Sequence, residues 1–193
     1  MEYHRMQTPP VGGYNGESGC AACRRSVDTG EMQIRDGWGY PPGAYAVIRG
    51  GPLAPGIQGI VTFSAAAGGT WVCVHITGLP PYRPGDAEMQ PMGPFGFHIH
   101  ENGDCAVNDP RNPFAATGSH WNPDGQPHGN HAGDFPVLFS NHGLAMTCFF
   151  TDRFQPGDVA GRSIVIHMHP DDYRTPPAGD SGSRLACGVI QAV

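Results

Sequence analysis

The sequence predicts an all-β fold, a sandwich or Greek-key barrel, and three observations carry that expectation. Short runs rich in β-branched and aromatic residues recur along the chain, each bounded by Gly, Pro or Asn. No segment of about 12 residues holds the 3.6-residue apolar period of an amphipathic helix. Gly and Pro number 29 and 20 in 193 residues, and most of them stand between those runs as turn residues. About eight strands in roughly 150 residues is the density of a sandwich or barrel.

Residues 1–43 precede that pattern. They are rich in Gly, Pro and polar side chains without a sustained period, so an irregular extension is expected before a domain spanning 44–193. Cys20 and Cys23 form a C-x-x-C in the extension. Alone it is a weak signal, shared by half a zinc site, a redox pair, a copper-acquiring motif and an incidental pair. From Ala44 the texture changes. The predicted strands are "AYAVIRG" (44–50), "QGIVTFSAA" (58–66), "TWVCVHITGL" (70–79) and "FGFHIHE" (95–101), then "VLFS" (137–140), "LAMTCFFT" (144–151), "SIVIHMH" (163–169) and "CGVIQAV" (187–193). "NHG" at 141–143 reads as a hairpin turn. Two connections, roughly 102–136 and 168–186, are too long for hairpin loops. Loops of that length in a compact domain are usually functional.

Composition excludes some classes and favours another. A formal net charge of −6 with 15% charged residues argues against nucleic-acid binding driven by phosphate neutralisation. No run of about 18 apolar residues is present, so no transmembrane helix is expected. The first twenty residues lack the apolar stretch of a secretory signal. The expectation is therefore a cytoplasmic protein, with export left open. Six cysteines sit uneasily with that, because disulfides are rare in a reducing cytosol. Ten histidines against eleven Lys and Arg favour a metal site, since imidazole is the commonest metal ligand.

The histidines are patterned. In "GFHIHENGDC" (96–105), His98 and His100 stand two apart on a predicted strand. Both rings leave one face while Phe97 and Ile99 leave the other. By themselves they would be solvated strand histidines. The first long loop adds "GSHWNPDGQPHGNHAGD", with His120, His128, His131 and Asp134. Three imidazoles and a carboxylate complete a tetrahedral set for Zn²⁺, closed in the manner of a structural site. His167 stands at the end of "SIVIH". With His120 shared, residues His98, His100, His120 and His167 supply four nitrogens, a set that suits tetragonal Cu(II).

In this combination the chain resembles the copper–zinc superoxide dismutases, and among them bacterial members. The resemblance runs from about Ala44 to the C-terminus and rests on "GFHIHENGDC", "GSHWNP", "HAGD", "GRSIVIHMHPDD" and "GDSGSRLACGVI", in the family's order. It implies an eight-stranded Greek-key β-barrel of immunoglobulin-like kind with two long functional loops. It implies an enzyme that disproportionates superoxide to O₂ and H₂O₂ on a histidine-bound copper bridged to zinc. His98, His100, His120 and His167 match the copper ligands; His120, His128, His131 and Asp134 match the zinc ligands. His120 is then the bridge and proton donor. Asp171 matches the carboxylate that accepts hydrogen bonds from one copper and one zinc histidine. Arg184 matches the arginine that docks the anion, and Cys105 and Cys187 match the family's disulfide. Superoxide is the implied substrate. Nucleic-acid and membrane partners are not expected, and a homodimer is compatible with the resemblance. The competing reading is a non-enzymatic copper store or delivery module on the same fold; a metal-free scaffold is a third.

The chain also departs from the family's pattern. His128 and His131 are only three apart, the segment "YRPGDAEMQPMG" (82–93) is inserted before the first histidine pair, and the loop after His167 is acidic. Weak electrostatic steering of the anion is therefore expected. Cys73 and His75 share one face of their strand and read as surface residues, and Cys148 reads as a packed free thiol. Asp172 reads as a capping or solvated residue. His169, two past His167, reads as a near neighbour of the copper set.

Overall fold

The computed structural model describes residues 41–193. Cys20 and Cys23, the C-x-x-C pair, lie outside the described residues. Seven strands follow in chain order: β1 (Ala44–Gly50), β2 (Gln58–Ala66), β3 (Gly69–Thr77), β4 (Phe97–His100), β5 (Ala145–Thr151), β6 (Ser163–His167) and β7 (Arg184–Ala192). They form one curled antiparallel sheet in the order β4-β6-β7-β1-β2-β3-β5.

Alternation builds the core. On β1, Ala44, Ala46 and Ile48 are fully buried while Val47 and Arg49 face out. They meet Val61 and Phe63 of β2, Val72, Val74 and Ile76 of β3, Phe97 and Ile99 of β4, and Ile164 and Ile166 of β6. Burying a side chain of this size contributes about 1.5–3 kcal/mol.

The expected eighth strand, "VLFS", is reduced to a single bridge. Phe95 and Leu138 exchange two backbone hydrogen bonds of 2.9 Å each. Pro136 before it and the 141–144 turn after it leave no room for a longer ladder. That bridge joins the segments leading into β4 and β5, the two edges of the sheet, and so closes it. The hairpin turn is present: His142 and Gly143 both have positive φ, 52° and 85°, as a type I′ turn requires.

The free edge of β4 is covered by the first long loop. Ile99 N–H donates to Gly133 O (2.9 Å), Trp121 N–H to Ile99 O (2.8 Å) and Phe135 N–H to Phe97 O (3.3 Å). This explains why β4 is buried at every position. Its inward residues meet the core, and its outward residues meet a loop instead of water.

Two disulfides are present among the described residues. Cys105–Cys187 ties the segment after β4 to β7, as the family resemblance implies. Cys73–Cys148 overturns the expectation of a surface Cys73 and a free Cys148 thiol. The reason is register: Cys73 of β3 lies directly opposite Cys148 of β5, with Cα atoms 4.1 Å apart. That pairing is invisible until the strands are placed side by side. No described helix is long and apolar enough to cross a membrane.

Candidate metal centre

The outer face of β4 and β6 carries the site. His98 and His100 leave β4 on the side away from Phe97 and Ile99, as the period-two reading predicts. In the β4–β6 register His98 faces Val165 and His100 faces Ser163, while a register shift at Ile166/His167 sets His167 opposite Arg184. Such irregularities re-aim side chains at the ends of strands. A small second cluster of Phe114, Val165 and Cys187 with Cys105 packs under the disulfide on this outer face. The loop stretch 120–134 supplies the remaining candidates.

Those residues converge in two groups that share one ring. Ligand atoms of His98, His100, His120 and His167 all lie within 4.8 Å of one another, and so do those of His120, His128, His131 and Asp134. All seven side chains are buried. The rings of His98 and His120 stack with centroids 3.9 Å apart, and the His100 and His167 rings stack at 5.3 Å.

Most of these rings have one nitrogen committed to an acceptor, which fixes where the proton sits. His98 Nε2–H donates to Asp171 Oδ2 (2.7 Å) and His128 Nε2–H to Asp171 Oδ1 (2.9 Å). His100 Nδ1–H donates to Gly118 O (3.0 Å) and His167 Nδ1–H to Gly182 O (3.1 Å). His120 Nδ1 contacts Asp134 Oδ1 at 2.9 Å. The opposite nitrogens point inward. His98 Nδ1, His120 Nε2, His128 Nδ1 and His131 Nδ1 are buried without a hydrogen-bond partner. His100 Nε2 and His167 Nε2 face each other at 3.1 Å, each with its lone pair directed inward. Orphaned buried nitrogens cost about 1–3 kcal/mol each unless something accepts their lone pairs.

Inward-facing lone pairs without partners, gathered in two sets, fit metal ions at both positions. Four imidazole nitrogens suit Cu(II), and three imidazoles with a carboxylate suit Zn²⁺. The electrostatics agree. Burial, reinforced by the neighbouring rings His120 and His167, holds His98 well below the ordinary histidine value. Burial and the His167 and His120 rings do the same to His100. His167 is pushed down to about 3, chiefly by burial. Rings kept neutral are ready to ligate. Burial alone would raise the Asp134 carboxyl, but the hydrogen bond from His120 and the nearby rings bring it below its usual value.

Other residues reach the site through their partners. Asp171 Oδ1 also accepts the Tyr173 N–H (2.7 Å), so its carboxylate is held from three sides. Gly179 has φ +61°, and a Cβ there would collide with Asp171 Oδ1, so a glycine is required where the loop passes the carboxylate. Arg184 donates to Gly118 O (2.9 Å) and Phe114 O (3.4 Å), and burial lowers its pKa. Asp172 caps the N–H groups of Arg174 and Thr175 at 2.8 Å each, the role read for it from sequence. The sequence reading missed the carbonyls of Gly118 and Gly182, because backbone acceptors leave no trace in residue type. It also missed Arg153, whose guanidinium grips His131 O (2.7 Å) and Asn130 Oδ1 (3.1 Å).

The chain is similar to known proteins in its family model, in sequence and in fold. The family model for copper/zinc superoxide dismutase matches residues 57–190. A Cu-Zn superoxide dismutase of Deinococcus radiodurans is 39% identical over 155 residues, covering 71% of this chain and 79% of that protein. One of Legionella pneumophila is 34% identical over 143 residues, covering 69% and 77%. Among solved structures, the Cu/Zn superoxide dismutase of Brucella abortus superposes with a TM-score of 0.61 at 29% identity, covering 77% of this chain and 99% of that one. A double mutant of a superoxide-dismutase-like protein from Bacillus subtilis gives 0.60 at 25% identity, covering 77% and 97%. A seven-stranded antiparallel sheet, two buried donor sets sharing a ring and these relatives agree: the chain belongs to the copper/zinc superoxide dismutase family.

Proposed function

We propose that His98, His100, His120 and His167 hold copper, that His120, His128, His131 and Asp134 hold zinc, and that the His120 ring serves both. The enzyme is a superoxide dismutase with copper and zinc as its cofactors. When bound, copper supplies the one-electron couple by which one superoxide is oxidised to O₂ and a second, with two protons, is reduced to H₂O₂, and zinc holds the shared ring.

The chain's own groups do the rest. Asp171 orients His98 and His128 together, so one carboxylate sets the tautomer of a ring in each group. Gly118 O and Gly182 O do the same for His100 and His167. His120 Nε2, buried and without a hydrogen-bond partner, would be the nitrogen able to hold a proton for the substrate. Arg184 spends two of its five N–H donors on carbonyls, which fixes the guanidinium and leaves the others for a small anion. The half-buried Arg184 guanidinium places a positive charge beside the copper donors despite the chain's net charge of −6.

The observation that carries this reading is the pair of orphan-lined donor sets with one ring in both. Its test is metal analysis and a dismutation assay on protein loaded with copper and zinc. Stoichiometric copper without dismutation would favour the store or delivery reading instead. The two disulfides support a place outside the reducing cytosol, against the cytoplasmic expectation. Labelling of free thiols in intact cells tests that: accessible Cys73 and Cys148 thiols inside the cytosol would overturn it.

A further inference from the structure

We propose that His169 is a positioning residue for copper, acting through Gly182 and His167, and that the inserted 82–93 segment holds it in place. This rests on the assignment of His167 to copper.

The segment has its own closure. Arg83 and Met92 exchange two backbone hydrogen bonds of 3.1 and 3.0 Å, and Asp86 Oδ1 accepts the N–H groups of Glu88 and Met89 at 2.9 Å each. Its far end is laced to the chain leaving β6. Gly93 N–H donates to Met168 O and Gly96 N–H to His169 O, both at 2.9 Å. The His169 side chain completes the lacing, with Nδ1–H donating to Pro91 O at 2.7 Å. On the other side, Met168 N–H and His169 N–H donate to Ser183 O and Ser181 O at 2.9 Å each. His169 is thus clamped between the insertion and residues 181–183.

Gly182 lies at the centre of that clamp. It has φ +70°, and a Cβ there would run into the ring carbon Cδ2 and Nε2 of His169. The imidazole ring, Cδ2 foremost, therefore stands against the bare α-carbon of Gly182. The carbonyl of the same residue accepts the proton of His167 Nδ1 at 3.1 Å. A carbonyl acceptor on a ligating histidine fixes its tautomer and ring rotation. A glycine in the left-handed region has little intrinsic stiffness; the carbonyls on either side of it are tied to residues 168 and 169, and the His169 ring packs on the glycine itself. The path runs from Pro91 through the His169 ring and Gly182 to His167 Nδ1, every link a contact of this chain.

Three variants separate the parts: His169→Ala removes ring and hydrogen bond, His169→Asn keeps a donor near the Nδ1 position, and His169→Phe keeps a ring against Gly182. The readouts are Cu(II) affinity by chelator competition with zinc present, and the frozen-solution electron paramagnetic resonance spectrum of bound Cu(II). His169→Ala is expected to weaken copper about tenfold and change the copper hyperfine splitting, with zinc affinity within about twofold. His169→Phe, where packing is restored, recovers most of the loss; His169→Asn recovers less. A spectrum and copper affinity unchanged in His169→Ala overturn the proposal, as does a lowered melting temperature with an unaltered spectrum. If His169→Ala fails to fold, the Asn and Phe variants decide by the same readouts. Failure of the copper assignment itself would show separately, as parent protein that binds no copper.

Discussion

The two halves of the centre are built by different means. The candidate zinc donors all come from one loop stretch, 120–134, and three of them gather within about 3.5 Å of the Asp134 carboxylate. The candidate copper donors come from β4, from the end of β6 and from that same loop, with 67 residues separating His100 from His167. Bringing distant segments together costs chain entropy that only the folded sheet repays. The zinc half is therefore a property of a loop, and the copper half a property of the barrel. His120 and Asp171 are where the two depend on each other.

The largest expected effect falls on the copper half alone. His167→Ala is expected to lose copper and nearly all dismutation while retaining most zinc, checked by metal analysis and activity on one preparation. Equal loss of both metals would show that the halves are not separable. Next comes the shared carboxylate. Asp171→Asn leaves one acceptor oxygen where His98 and His128 each need one and sets an N–H donor against the other ring, and is expected to weaken both metals by about 10- to 100-fold in chelator competition. An effect on zinc only would place Asp171 in the loop's domain rather than between the two.

The disulfides extend the contrast to stability. They close loops of similar length, 82 and 75 residues, so the chain-entropy model gives each about 4.5 kcal/mol. Removing either pair by Ser is expected to cost about 2–5 kcal/mol in urea unfolding. Only loss of Cys105–Cys187 should also lower activity. That bond anchors the segment leading to Phe114 and Gly118, whose carbonyls hold Arg184 and His100.

Acid gives a smaller, graded effect. His167 has a folded value of about 3, chiefly from burial, against an ordinary value of 6.5. The unfolded chain thus binds a proton that the folded chain refuses. Stability from this group is complete above about pH 6.5, falls as pH drops toward 3, and levels off below that. His98 and His100 are shifted in the same direction. The slope for one such group is at most about 1.4 kcal/mol per pH unit. Metal-free protein should show this loss in urea titrations, and metal-loaded protein should show less of it, because ligated nitrogens resist protonation. The smallest effect concerns substrate approach. With a net charge of −6 and the half-buried Arg184 beside the candidate copper donors, kcat/KM is expected to fall only slightly with ionic strength. A steep fall would point to long-range steering.

Much of this is legible in the order of the residues alone. The period-two spacing of His98 and His100 implies a common face, and β4 delivers it by putting Phe97 and Ile99 into the core. The positive-φ demand of a tight turn is readable in "NHG". "VLFS" misleads because a strand-like composition does not reveal that a proline and a turn leave room for one bridge only. Cys148 misleads because a cysteine's partner is decided by which strand lies beside it, and β3 pairs directly with β5 although β4 separates them in the sequence.

What the chain determined by itself was the chemistry on offer: which side chains alternate, where turns must fall, and a loop already holding a complete zinc-type donor set. Local steric rules and side-chain chemistry act over a few residues, so a linear string records them. Only the tertiary structure decided that His167 stands against His100, that Asp171 reaches rings from both groups, and that the Gly118 and Gly182 carbonyls choose the ring tautomers. Those contacts depend on strand register and on backbone atoms common to every residue, and neither is written in the identity of any one side chain.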